Sequence, residues 1–308
     1  NIEGTYLKIT GTGNYAGGIF GYVDGYIQKI YSYQYSANGK QSGDQETDWL
    51  VKAGQYVGGA VGQYSNATLT TVQTTNSKII GNNFVAGNVG YGSGNVNTAI
   101  SENNTITGTG NYVGGNVGYH GWTFTNLTSK NNTISGYNCV GGNSGSQGWA
   151  NENNILSENN KITGNNYVGG CSGYGESYYS YMYNAKSIGN NQQIKGASYV
   201  GGVIGRTVGR LKSVQSENCT ITATGSYVGG TIGSSEYSTN SISGTNSEYY
   251  SVAGANAKNV TVKASMNYVG GIVGYQVGTL YGAVLENINI TAKGSNVGGI
   301  TGFYTGYN

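Results

Sequence analysis

The sequence predicts an all-β fold: a single β-solenoid, or β-helix, of about ten coils with 28 residues per coil, glycine-rich corners and tyrosine columns. Three observations predict it. One nonapeptide recurs ten times along 308 residues, its spacing is close to constant, and the composition carries 56 Gly, no Pro and only 9% charged residues. Average chains run near 7% Gly and about 25% charged residues. A polar tract of this kind reads as disordered when it lacks aromatic and β-branched residues. Here 29 Tyr and regularly spaced Val and Ile argue for a packed core.

The nonapeptide comes first in the argument, because internal repeats decide architecture. Its copies begin at Asn14, Gln55, Asn83, Asn111, Asn138, Asn166, Ser198, Ser226, Asn267 and Ser295, and NYVGGNVGY at Asn111 is typical. Successive starts lie 41, 28, 28, 27, 28, 32, 28, 41 and 28 residues apart. One such unit is too small to bury its apolar side chains, but stacked units bury them against one another, each about 4.8 Å above the last. The third position is Val in nine copies and Ala16 in the other. The seventh is mostly Val, Ile or Phe, with Ser144, Ser172 and Thr301 as exceptions. These two positions are expected to line the core, together with the Ile of a second segment, seen as NNTITG at Asn103–Gly108 and NNKITG at Asn159–Gly164. A third, looser stretch completes each unit, as in Trp122–Ser129. Gly at the fifth and eighth positions of all ten copies fits tight corners or close backbone approach. Gly at this density works against a helical solenoid, at roughly 1 kcal/mol per helical residue.

Aromatic residues recur at the second and ninth positions. The ninth-position set, Tyr22, Tyr91, Tyr119, Tyr174 and Tyr275, forms a column that reads either as a stabilising ladder or as a strip for a glycan or protein partner. The chain is expected to be one continuous solenoid over 1–308, with Tyr- and Ser-rich insertions near 26–47, 177–183 and 234–250 as protruding loops. Surface loops on a rigid scaffold often carry function.

The GG core of the repeat, as in VGGNVG, VGGVIG and VGGIVG, resembles the GLUG-type repeat of secreted and surface-anchored proteins. That family includes adhesins and the non-catalytic regions of some IgA-cleaving peptidases. The resemblance implies a β-solenoid in an extracellular setting and no reaction. Val, Ile or Asn stands here where the family name implies Leu, and no metallopeptidase signature is present.

Chemistry-bearing residues are sparse. Net charge is +2, which gives no electrostatic footprint for nucleic acid or a membrane surface. No apolar run reaches transmembrane length. The three cysteines, Cys139, Cys171 and Cys219, occupy different registers and read as small buried or semi-buried thiols. The sole histidine, His120, lies beside Tyr119 and Trp122 and reads as a surface residue in a turn. No cofactor, metal site or enzymatic activity is expected. N-glycosylation sequons stand at Asn66, Asn103, Asn126, Asn131, Asn218, Asn259 and Asn289, five of them six to eight residues before a nonapeptide, as if lining one edge. The alternative is that these Asn side chains form buried or edge ladders.

The ends suggest a partner. The chain opens inside a unit and closes 13 residues after Ser295. A second copy joined head to tail would therefore start its first nonapeptide 27 residues after Ser295, one normal unit. The expected partner is the chain itself, meeting through Leu7, Ile9 and Tyr15 at one end and Val297, Ile300 and Phe303 at the other. The function expected is that of a structural protomer of an extracellular filament or surface fibre. The alternative is an adhesin or stalk segment that binds glycans or other surface proteins through its Tyr strips and inserted loops.

Overall fold

A computed structural model describes residues 2–5, 8–33, 49–236 and 252–306. Among these residues there is no helix, and every strand pairing is parallel. The molecule is a β-solenoid. Each nonapeptide contributes one rung to a ten-stranded sheet running from Ala16–Gly17 to Val297–Gly298, so that nine full turns separate the first rung from the last. Register follows the repeat: Val85 faces Val113, and Val140 faces Val168. The remaining strands merge into a second sheet, because several run through their corners without a break, as Val61–Thr75 and Arg210–Ala223 do.

One coil shows the plan. Asn138–Gly141 forms the first side, Ser144–Gln147 the second, Asn151–Glu158 the third and Lys161–Thr163 the fourth. The looser stretch of the sequence is thus a full strand, burying Leu127, Ile155, Ala185 and Val214 in one column. Corners are made by residues in the left-handed region. One column of them holds Asn103, Asn131, Asn159, Asn218 and Asn259, and another Asn66, Asn126, Asn154 and Asn184. Asn is among the few residues that tolerate this conformation.

The core matches the repeat at its third position, where Val57 through Val269 are completely buried, and at the Ile of the second segment, as in Ile106, Ile134 and Ile162. It also extends beyond those positions. The sixth position is buried from Ala60 to Ile272, and it follows the glycine corner, where the chain turns and the simple alternation of a strand is interrupted. The eighth glycine interrupts the alternation again. Gly118 is skipped in the pairing, while Val117 and Tyr119 are both matched to the coil above. A side chain at Gly173 would sit within 2.5 Å of the Gly145 carbonyl and the Val140 nitrogen. The eighth glycine therefore serves close backbone approach and not a positive φ, as a β-bulge does when it resets which side chains face inward.

Of the insertions expected near 26–47 and 234–250, residues 34–48 and 237–251 fall outside the described residues, whereas Ile27–Tyr33 and Ser234–Glu236, expected to protrude, belong to the strands Ile27–Tyr33 and Ile232–Glu236. The step from Lys8 to its partner Leu50 and the step from Leu211 to Val252 both span segments, 34–48 and 237–251, that lie beyond the description. The third is accommodated without a large loop. Ser177–Ser180 form a turn, and Tyr181–Tyr183, expected to protrude, belong to the strand Tyr181–Gly196. Asn151 pairs with Tyr181 and Lys161 with Gln193, so the four extra residues are shared between that turn and a register shift after Ile188.

Candidate functional site

The outer side of the nonapeptide carries two adjoining aromatic columns. The second-position residues, Tyr15, Tyr56, Phe84, Tyr112, Cys139, Tyr167, Tyr199, Tyr227, Tyr268 and Asn296, all have φ between 52° and 65°. For a bulky side chain this conformation is an outlier that costs about 1–2 kcal/mol per residue. Yet no copy uses Gly there. The rings offset the strain by stacking: Tyr56 on Phe84 and Phe84 on Tyr112 at 4.9 Å, Tyr199 on Tyr227 at 4.5 Å and Tyr227 on Tyr268 at 5.0 Å.

The ninth-position strip is less continuous than its sequence suggests. Tyr91 stacks on Tyr119 at 5.4 Å, and Tyr275 on Phe303 at 5.1 Å. Tyr174 instead stacks sideways on Tyr167, and Tyr22 meets Tyr15 edge-on and is half exposed. Ser146, Arg206 and Ser234 interrupt the column in register. The second-position column is therefore the longer ladder, and it buttresses the strip through T-shaped contacts such as Tyr112 with Tyr119 at 5.7 Å.

Both columns break at one coil, where Cys139 and Ser146 replace aromatic residues. Glu176 lies over this notch. Its Oε1 accepts a 2.7 Å hydrogen bond from Ser146, and the Tyr112 hydroxyl is near enough to favour the carboxylate through a weaker hydrogen-bonding interaction. Burial pushes the Glu176 carboxyl up from its ordinary value, and those two interactions only partly oppose the shift. Burial first, and the nearby Glu176 charge second, push Tyr112, Tyr119 and Cys139 up to about 12.

Two coils above, Arg206 occupies the ninth position. Its guanidinium lies 5.4 Å from the Tyr174 ring, 5.6 Å from Tyr199 and 5.8 Å from Tyr167. It donates from Nε to Glu236 Oε1 at 3.0 Å and from Nη2 to Oε2 at 2.5 Å. Burial works against the arginine charge, but the hydrogen bonds and charge of Glu236 outweigh it and hold the group above its ordinary value.

The corner that follows the second side carries a separate exposed aromatic patch. Trp122, Trp149, Tyr178 and Tyr179 are 58%, 77%, 57% and 71% exposed, and the Trp149 and Tyr179 rings lie 5.5 Å apart. Sequence reasoning marked Tyr178 and Tyr179 only as part of the insertion near 177–183 and did not connect them with the two Trp, although these stand at the same place in successive units.

His120 corrects the sequence reading. It is completely buried in the strand Val117–His120, not on the surface. Its Nε2 lies 2.9 Å from Glu152 Oε1, its Nδ1 lies 2.9 Å from the Trp122 carbonyl, and its ring stacks on Phe124 at 4.2 Å. A carbonyl only accepts, so Nδ1 carries its hydrogen and a second proton is shared between Nε2 and Glu152. Glu152 stands in a column of Val96, Phe124, Met182 and Leu211, and His120 is its partner. Both side chains are fully enclosed, which bars a substrate from them.

The sequon residues also separate. Asn103, Asn131, Asn218 and Asn259 share the left-handed corner column and lie at or near the surface. Asn289 does not join them: it lies in the strand Asn289–Ala292, and Asn287 takes the corner, bonding to Asn259 Oδ1 at 3.0 Å. Asn66 and Asn126 belong to the other corner column and are exposed. Among the head-to-tail candidates, Leu7 lies outside the described residues, Ile9 is half-buried, and Tyr15, Val297, Ile300 and Phe303 are 46%, 48%, 44% and 36% exposed. Among the described residues, no three His, Cys, Asp or Glu side chains converge as a metal site requires.

No protein-family model, no curated protein and no solved structure matches this chain. The likeness to GLUG-type repeats therefore rests on the nonapeptide alone.

Proposed function

We propose that this chain is a non-catalytic structural protomer of an extracellular filament or surface fibre, assembling by continuing its β-solenoid from one copy to the next. The observation that carries this reading is that each apolar rung is buried only by the rung stacked on it, in matched parallel register. Val269 and Ile272 of the ninth rung are completely buried, whereas their counterparts Val297 and Ile300 are about half exposed in the single chain. Gly271 abuts the Gly299 carbonyl of the next coil, and Gly299 has nothing within 4 Å of its own Cβ position. An apolar rung with open backbone edges is a template for another strand. The first rung offers matching chemistry, with Ala16 and Phe20 inside and Tyr15 and Tyr22 half exposed outside, so that Phe303 would meet Tyr22 as Tyr275 meets Phe303.

Electron microscopy of the purified protein tests it. The expected result is filaments with an axial repeat of roughly 48 Å per chain, ten coils at about 4.8 Å each. Ile300→Lys, which places a charge on the apolar end, should abolish them. Isolated rods from the unsubstituted protein would overturn the reading, including the case in which the next rung belongs to the same polypeptide.

A second reading has its own support. The exposed corner of Trp122, Trp149, Tyr178 and Tyr179 offers aromatic faces on successive coils, suited to stacking on sugar rings. An adhesin or stalk segment would use them. A glycan-binding screen in which Trp149→Ala removes the signal supports this reading; a screen without a hit removes it.

A further inference from the structure

A solenoid repeats its own geometry, so one coil serves as the reference for another. Arg206 and Glu236 are separated by 30 residues, and so are Ser146 and Glu176. Around Arg206 the rings are Tyr167 and Tyr174 from the coil below and Tyr199 from its own coil. The same positions around Ser146 are held by Tyr112, Tyr119 and Cys139. The two places thus share a carboxylate and two tyrosine faces in register. They differ in three residues: Ser146 stands where Arg206 stands, Cys139 where Tyr199 stands and, in the coil above, Tyr174 where Ser234 stands. Among the described residues, no Lys, Arg or His forms an ion pair with Glu176.

We propose that Tyr112, Tyr119 and Glu176 form a binding site for a guanidinium group brought by a ligand, in the place that Arg206 fills from within the chain two coils above. Three features support the assignment. The carboxylate is held over the notch by Ser146, with hydrogen bonds that leave acceptor capacity on its oxygens. Tyr112 stacks on Phe84 on one side only, and Cys139 takes the place of a ring on the other. Finally, a partly buried carboxylate beside electron-rich ring faces favours a cation that is planar, weakly hydrated and able to donate two parallel hydrogen bonds. Guanidinium has those properties and ammonium does not. The burial that raises the Glu176 carboxyl would be compensated by such a ligand, as burial of Arg206 is compensated by Glu236.

The guanidinium could belong to an arginine side chain of a partner protein or to a free small molecule. Titration of the intact protein with N-acetylarginine methylamide, followed by NMR of the tyrosine ring signals, tests the shared chemistry. Saturable shifts of Tyr112 and Tyr119 are expected, and the isosteric citrulline compound should give none. Glu176→Gln should weaken binding by about tenfold or more. Ser146→Arg should place a guanidinium there from within, abolish binding and raise the melting temperature. Tighter binding of a short peptide with one arginine than of the capped residue points to a protein partner, and equal binding points to a free guanidinium compound. Absence of saturable shifts up to about 50 mM, well above a millimolar dissociation constant, overturns the proposal. So does unchanged binding in both variants with folds verified by circular dichroism.

Discussion

The middle coils and the C-terminal coils of this rod fill the same core positions in opposite ways. At the sixth position of the nonapeptide, Asn88, Asn116 and Asn143 form a buried amide ladder with 2.6 Å steps from Nδ2 to the next Oδ1. Each Nδ2 also donates to an inward carbonyl of the third side, at Ile100, Thr128 and Leu156. Further along, the same position holds Val203, Thr231 and Ile272. A second ladder runs through Asn104, Asn132, Asn160 and Gln192, whose side-chain oxygens accept from the backbone nitrogen of the preceding coil at 2.6–2.7 Å. Its column continues as Cys219 and Val260. The solenoid cross-section therefore tolerates either chemistry, provided that neighbours agree. Within these two columns the amides are stable inside because each one satisfies the next.

The cysteines mark where the chemistry changes. Cys171 follows Asn143 and donates to the Lys186 carbonyl at 3.3 Å, the same inward carbonyl that the amides reach. Cys219 follows Gln192 and donates to the Ser187 carbonyl at 3.1 Å, as Asn160 does to Ser129. A thiol is a small apolar group with one weak donor. It meets the last polar demand of the ladder below and presents an apolar surface to Val203 or Val260 above.

The sharpest way to break this contrast is to exchange the two chemistries. Asn132→Leu removes the acceptor for the Asn104 nitrogen and the donor to the Ser101 carbonyl, both buried. Leaving two buried groups unpaired should cost about 3 kcal/mol or more, read as a fall in denaturation midpoint. Val260→Asn, a lone amide in the apolar part of the same column, should also destabilise. If either change is neutral, the ladder is not cooperative.

A second test concerns the junction thiols. Burial raises both, Cys219 to about 12 and Cys171 well above its ordinary value. At pH 8 the native protein should resist a thiol-labelling reagent at both sites, while the urea-unfolded chain reacts at all three cysteines. Rapid labelling of Cys171 in the native protein would show that the junction opens.

The smallest effect is expected outside the core, where Glu176 and Glu236 differ in having an arginine partner. The Glu176 carboxyl is raised in the folded protein. The folded state therefore holds this proton more tightly than the unfolded one, and stability falls as pH rises from the ordinary carboxylate value through the raised one. Glu176→Gln should be more stable than the parent at neutral pH, and the difference should vanish as pH drops below the ordinary range. A pH-independent difference would mean that packing, not charge, is responsible.

Much of this was legible in the residues. The third-position Val, the Ile of the second segment and the glycine columns mark the core and the close approaches directly. The sixth-position Asn residues were not legible as core, because a polar residue beside a buried Val reads as outward-facing in a simple strand. Only the glycine corner before it and the unpaired eighth glycine explain why the sixth, seventh and tenth positions all point in. His120, the tenth residue of its unit, was misread as exposed for the same reason. The notch at Cys139 and Ser146 was visible as two departures from the repeat, but its counterpart at Arg206 and Glu236 emerges only when residues 30 apart are brought into one register.

The sequence by itself determined the period, the all-β class and the stacking of like on like, since a repeat too small to bury its own apolar residues must bury them against its copies. The tertiary structure decided which polar residues are inside, which aromatic column is continuous and which carboxylate gains an arginine. Those outcomes depend on where the backbone turns between neighbouring residues, and on contacts between coils that no single repeat contains.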